Sequence, residues 1–142
     1  MSVAMPNNAF SWPIRVYWED TDAGGVVYHA RYLHFFERAR TEWLRSAGIS
    51  QTDLRQKNDV LLVVKDAYLD ILRPARIDDA LSATVDIEEI GRASFLVRQE
   101  LWRGSDCLSK AVIKIACLRA SSFKPCGLPS VVNQALKNLQ EK

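Results

Sequence analysis

An α+β fold, with one long helix packed on a mostly antiparallel sheet, follows from three features of the sequence. Between Ala30 and Ala47 the chain carries an apolar stripe of helical period. Downstream, about four stretches run continuously apolar or alternate apolar and polar residues with period two. The turns between the later stretches are of hairpin length, which makes neighbouring strands antiparallel. One helix and one such sheet bury each other's apolar faces as two layers.

Taken in order, residues 1–12 form a loose lead-in marked by Pro6, Asn7 and Asn8. Ile14 to Glu19 reads as a short strand, with Ile14, Val16 and Trp18 alternating against Arg15, Tyr17 and Glu19. DTDAGG (Asp20 to Gly25) interrupts that pattern, because aspartate and glycine favour turns and positive φ. In the helix, Tyr32, Phe36, Ala39 and Trp43 recur at spacings of four, three and four, with Phe35 and Leu44 beside them. Arg31, Arg38, Glu42 and Arg45 take much of the remaining surface, and Gly48 stands where a C-terminal cap belongs.

Gln51 to Asn58 reads as a polar connection. Val60 to Val64 is an apolar run that continues through Ala67, Leu69 and Ile71 and is ended by Pro74. Leu81, Ala83, Val85 and Ile87 alternate with polar residues up to a turn at Gly91; Phe95, Val97 and Leu101 continue the alternation. After a second turn at Gly104-Ser105-Asp106, Ala111, Ile113, Ile115 and Cys117 form the last strand. Residues 129–142 read as a short C-terminal helix, carried by Val131, Ala135 and Leu139, or as a frayed tail.

The 142 residues suit one domain spanning 1–142. A net charge of only +2 argues against a general nucleic-acid binder. The three cysteines are odd in number and show no CxxC spacing, so neither a disulfide framework nor a structural zinc site is expected. Cys107 and Cys117 fall in strand-like sequence and read as buried free thiols of a reducing compartment. The N-terminus lacks the basic and apolar regions of a secretory signal, and no apolar run approaches the ~20 residues of a transmembrane helix. A cytoplasmic location is expected.

Chemistry concentrates in EDTDAGGVVYHARY. Glu19, Asp20 and Asp22 precede two glycines, and a histidine stands just before the helix. A helix start offers unpaired N–H groups and partial positive charge, which can hold a developing oxyanion. A nearby carboxylate can serve as nucleophile or as general base on water. Gly24 and Gly25 let backbone approach a ligand without a Cβ clash. From the residues alone, the same segment reads first as a hydrogen-bonded turn leading into a helix, with the catalytic reading second. His29 and His34, five apart, do not share one helix face, so they are not expected to form a metal site. Phosphate-loop, nucleophile-elbow, zinc-protease and dinucleotide-binding motifs are absent from the sequence.

The segment EDTDAGGVVYHARYLHFFERARTEWLR resembles the signature of hotdog-fold thioesterases of the 4-hydroxybenzoyl-CoA type. It looks closest to the bacterial acyl-CoA thioesterase branch associated with the Tol-Pal cell-envelope system. WPIRVYWEDTDAGGVVYHARY, LRPARIDDAL and KPCGLP have counterparts at similar spacing, so the resemblance covers nearly the whole chain. It implies a long central helix wrapped by a curved antiparallel sheet of five or six strands. It also implies a homodimer or homotetramer, with sheets joined edge to edge and active sites at the dimer interface. The implied activity is hydrolysis of an acyl-CoA thioester, with no metal and no cofactor beyond the coenzyme A of the substrate. Peripheral association with the inner membrane is compatible with it.

By the same resemblance Asp22 is the catalytic acid, and the backbone N–H of His29 polarises the thioester carbonyl. Tyr28 and the His29 side chain line the pocket or orient water, and Gly25 and Val26 lie against the substrate. Asp20 reads as a turn-stabilising acid and Glu37 as a helix-surface or interface residue. GRASF (Gly91 to Phe95) matches a segment contacting the nucleotide end of coenzyme A, which makes Arg92 the phosphate-binding candidate. Some relatives carry a second arginine where this chain has Gly91, and a basic residue where it has Cys126, to which no role is assigned. YLHFF reads as core filling rather than an acyl tunnel. Two alternatives stay open: a hotdog hydratase or dehydratase acting on acyl thioesters, and a non-catalytic acyl-thioester-binding protein.

Overall fold

A computed structural model describes residues 10–141. Five strands form one antiparallel sheet: β1 (Phe10–Arg15), β2 (Val60–Ile71), β3 (Ala80–Ile90), β4 (Ser94–Arg103) and β5 (Asp106–Arg119), in the spatial order β1-β3-β4-β5-β2. Three helices accompany them: α1 (His29–Ser46), α2 (Gln51–Asn58) and α3 (Ser130–Gln140). The expected layers are present. No helix of the described residues is long and apolar enough to cross a membrane.

The helix α1 forms where its stripe predicts. Tyr32, Phe35, Phe36, Ala39, Trp43 and Leu44 are all buried against the sheet. Gly48 ends it at φ +82°, and the Ile49 N–H reaches back to the Leu44 carbonyl at 2.9 Å, satisfying an orphan carbonyl of the last turn. The opposing sheet face is made by residues that share a face through register. Phe95 pairs with Ile115, Val97 with Ile113, Gln99 with Ala111, and Ala83 with Leu101. Ala39, Ala83 and Ala111, all buried, keep the two layers close.

One polar group sits inside this interface. Arg40, only 9% exposed, donates from Nη1 to Gln99 Oε1 at 2.9 Å. Gln99 Nε2 donates to the carbonyls of Phe36 (3.0 Å) and Thr84 (3.3 Å). Burial pulls the Arg40 guanidinium below its ordinary range, and nearby Glu37 opposes that shift. Gln99 thereby joins α1, β3 and β4 through one side chain.

Four readings are corrected. The strand expected over Ile14 to Glu19 begins earlier and stops at Arg15, because the Val16 backbone turns to Asp78 and Asp79 (3.1 and 3.0 Å) instead of continuing along β3. Trp18–Asp20 becomes a 3₁₀ turn that leaves Trp18 83% exposed. Of the lead-in, residues 1–9 lie outside the described residues, and Phe10 to Trp12 belong to β1. Gln51 to Asn58 is helix rather than connection: the Ser50 side chain caps it, accepting the Asp53 N–H, and Leu54 anchors it in the core. The C-terminal helix is formed, but Val132, Ala135 and Leu136 are its buried face while Val131 is exposed.

β2 is an edge strand whose second half is uncovered. Val64, Tyr68 and Ile71 are 49%, 67% and 41% exposed, and Lys65 is an extra residue bulging between Val64 and Asp66. Between this edge and α1 lies a cavity of about 190 Å³, walled by Trp43, Leu44, Leu62, Phe95 and Ile115 with Glu37 and Arg40 at its polar side.

Replacing Gln99 with leucine strands the Arg40 charge and is expected to destabilise the fold by about 3 kcal/mol in denaturant unfolding. The double variant Gln99→Leu with Arg40→Met should recover most of that loss. Equal destabilisation in both would show that packing, not the unpaired charge, is responsible.

Candidate active site

The DTDAGG segment folds as a small hairpin that feeds directly into α1. Tyr28 N–H donates to the Asp20 carbonyl (2.9 Å), Thr21 pairs with Val27, and Asp22 N–H donates to the Val26 carbonyl (2.9 Å). Gly25 N–H closes the tip onto the Asp22 carbonyl at 3.1 Å. Gly25 has φ +80°, which an L side chain adopts only with strain. Asp22 thus stands two residue rises, about 7 Å, from the level at which Asp20 faces Tyr28 and the helix begins.

The two aspartates of the pair have separate fates. Asp20 is 1% exposed and fully engaged: its carboxylate accepts the Tyr17 N–H (2.8 Å) and both Nε (3.0 Å) and Nη2 (2.9 Å) of Arg31. It staples the hairpin to the first turn of α1. Asp22 is exposed, and its Oδ1 accepts only the Gly24 N–H at 2.8 Å. A Cβ on Gly24 would come within 3.2 Å of that oxygen, so the glycine keeps the carboxylate's position open. Oδ2 of Asp22 has no hydrogen-bond partner among the described residues.

At the helix start Tyr28 occupies the N-cap position and gives no side-chain cap. Tyrosine cannot do what serine or aspartate does there. The Arg31 N–H returns to the Tyr28 carbonyl (2.8 Å), while the N–H groups of His29 and Ala30 have no hydrogen-bond acceptor among the described residues. The Tyr28 and His29 rings, both exposed, stand 4.4 Å apart at 43°.

A second segment holds the hairpin in place. Val27 N–H donates to Ala75 O (2.8 Å), Val26 bridges to Arg76, and the buried Tyr32 hydroxyl accepts the Ala75 N–H (3.0 Å). Asp79 ties this segment together, accepting the Arg76 N–H (2.9 Å) and Arg103 Nη1 (2.8 Å). LRPARIDD is therefore the cradle of the site loop.

Residues 24–109 match the thioesterase superfamily. The chain is 46% identical over 136 residues to the acyl-CoA thioesterase YbgC of Haemophilus influenzae, covering 96% of this chain and all of the relative. It is 40% identical to the acyl-CoA thioester hydrolase YbgC of Escherichia coli O6:H1, covering 90% and 96%. The chain belongs to the thioesterase superfamily. Its backbone superposes on a probable thioesterase from Bartonella henselae with a TM-score of 0.82, 38% identity, and 85% and 99% of the two chains covered. A 1,4-dihydroxy-2-naphthoyl-CoA thioesterase from Synechocystis gives 0.85 at 26% identity, covering 92% and 97%. The fold is the hotdog fold, and the protein is an enzyme of the thioesterase class.

Within this thioesterase, the structure gathers Asp22, Gly25, Val26, Tyr28 and His29 into one loop and helix start. It does not bring Arg92 to them. Arg92 precedes β4, whereas Arg103, at the far end of β4, reaches the Pro74 carbonyl and Asp79 in the cradle of the site loop. Ten residues of strand, roughly 30 Å, separate the two ends. Arg31 and Asp79 were missed as supports of the site; only the proximity of Arg31 to DTD in sequence could have suggested the former.

Asp20→Ala leaves Arg31 partly buried without its partner and is expected to lower stability by about 3 kcal/mol, read as a lower unfolding midpoint. Asp22→Ala should leave the midpoint unchanged. Similar midpoints for the two variants would mean that Asp20 does not staple the hairpin.

Proposed function

We propose that this protein hydrolyses acyl-CoA thioesters with Asp22 as the reacting carboxylate and the helix-start N–H groups of His29 and Ala30 as the oxyanion site. The observation that carries this reading is the contrast between the two aspartates: Asp20 is consumed by Arg31, whereas Asp22 keeps a carboxylate oxygen free at the tip of the hairpin that leads into the unpaired helix N–H groups. A thioester carbonyl held by those amides develops negative charge where the helix dipole favours it. The carboxylate then attacks the carbonyl carbon or takes a proton from an attacking water, and the thiolate leaves. Gly25 and Val26 form the backbone wall against the substrate, with Tyr28 and the His29 ring at the mouth.

The complete site is proposed to need two chains. The open edge of β2 offers unpaired backbone groups and exposed Val64, Tyr68 and Ile71 to a second copy. Antiparallel pairing about a two-fold axis turns the second sheet end for end. That brings the Arg92 turn of one chain to the end that carries Asp22 of the other, where a guanidinium can meet the phosphates of coenzyme A.

A panel of acyl-CoA substrates with thiol release followed spectroscopically tests the reaction. The Asp22→Asn variant is expected to lose about 100-fold or more in kcat, since the amide keeps the shape without basicity or nucleophilicity. No thiol release from any chain length by the unmodified protein would refute the activity; full activity in Asp22→Asn would refute the residue.

Mixed dimers of Asp22→Asn chains with Arg92→Ala chains test the shared site. Activity should recover, because one of the two sites then combines an intact Asp22 with an intact Arg92. Activity no higher than the mean of the two parent variants would place both residues of a site in one chain.

A further inference from the structure

Two of the three cysteines meet beneath the Arg92 turn. The end of β5 folds back on residues 124–126: Leu118 bridges to Pro125, Arg119 N–H donates to Lys124 O (2.8 Å), and Cys126 N–H donates to Cys117 O (3.0 Å). Cys117 and Cys126 therefore stand directly opposite each other across this short pairing. Their sulfurs lie 3.4 Å apart, Cys117 fully buried and Cys126 partly exposed. Cys117 Sγ also contacts the Gly127 carbonyl at 3.6 Å. Burial, reinforced by the neighbouring Cys126 sulfur, pushes the Cys117 thiol up to about 12, so it holds its proton.

The same few residues clamp the turn that carries Arg92. Cys117 N–H donates to Ala93 O (2.8 Å) from one side, and Leu128 N–H donates to Arg92 O (2.8 Å) from the other. Gly127 has no side chain, and a Cβ there would lie 3.8 Å from the Arg92 carbonyl. Any movement of Cys126 relative to Cys117 is thus passed to the turn through the Cys117 amide on one side and the two peptide units from Cys126 to Leu128 on the other.

We propose that Cys117 and Cys126 form a reversible thiol–disulfide couple, oxidised by a hydroperoxide, that tightens the KPCGLP strap on β5 and resets the Arg92 turn. The accessible Cys126 sulfur takes the distal peroxide oxygen, breaking the O–O bond and releasing an alcohol or water. The Cys117 sulfur then displaces that oxygen as water and forms the S–S bond. Two electrons pass to the peroxide, and no hydrogen remains on either sulfur. Bond formation closes a 3.4 Å separation to about 2.0 Å, a shift of more than 1 Å at the strap. Cys107, at the opposite end of β5 and hydrogen-bonded to Ser109 O, has no thiol neighbour among the described residues and stays reduced.

The test uses the full chain with hydrogen peroxide, followed by alkylation under denaturing conditions and mass measurement. The reduced protein should take three labels; the oxidised protein should take one, at Cys107, with a mass lower by two hydrogens before labelling, and dithiothreitol should restore all three. Oxidised Cys126→Ser should still be alkylated at Cys117. Three labels after peroxide, or labels lost through oxygen added to Cys126 without a crosslink, would overturn the couple. Amide exchange at residues 91–93 and 126–128 should slow on oxidation. The KM for acyl-CoA should change with kcat held, an effect that rests on the proposed role of Arg92 and is absent in Cys126→Ser. A disulfide that alters neither exchange nor KM would overturn the coupling to the turn. The labelling outcome stands by itself if no acyl-CoA is hydrolysed.

Discussion

Asp20 and Arg31 hold each other where the chain passes from sheet to helix, and the geometry of the site descends from that ion pair. The Asp20 carboxylate is buried, so its charge is tolerable only because a guanidinium and a backbone N–H meet it. Satisfying it forces a tight turn at Trp18–Asp20 and draws the first turn of α1 against the hairpin. With those constraints met, the tip that carries Asp22 projects outward and the helix N-terminus stays uncapped. A polar interaction that contributes modestly to net stability thereby decides which of the two aspartates stays exposed to solvent.

A second layer of support comes from a distant part of the chain. Asp79, Arg103 and the Tyr32 hydroxyl position Ala75 and Arg76, and these in turn receive Val27 and Val26. The DTDAGG loop is short and glycine-rich, yet its backbone is bonded on both flanks, which limits the motion that two glycines would otherwise allow. At the other end of the sheet the Arg92 turn is clamped with equal economy, by two main-chain bonds from β5 and the strap that follows it. The sheet is therefore a spacer with a worked end on each side.

Periodicity made the main elements legible. The α1 stripe and the alternations in β3, β4 and β5 carry enough apolar repeats for the sheet and helix to be read to within a few residues. The short helix α2 was not, because its only buried residue is Leu54 and its signal is the cap at Ser50 with Asp53 three residues on. The first strand was misplaced because Val16 and Trp18 continue the alternation past the point where tertiary bonds to Asp78 and Asp79 take over. Within the site, spacing could assemble three acids at a helix start but could not separate Asp20 from Asp22, since the difference between them is burial against Arg31. The distance between Asp22 and Arg92 was illegible for another reason: it depends on strand order, which no local pattern encodes.

The stitching of the site loop to Ala75, and of Ala75's neighbours to Arg103, also sets an order of events during synthesis. A chain made from its N-terminus presents DTDAGG early, when neither the cradle nor the strand that braces it exists. The bonds that brace this loop from outside, Val27 to Ala75 and Val26 to Arg76, can form only after elongation has passed that segment. The DTDAGG hairpin is thus among the first parts of the domain to be translated, and its outside brace from LRPARIDD arrives about fifty residues later.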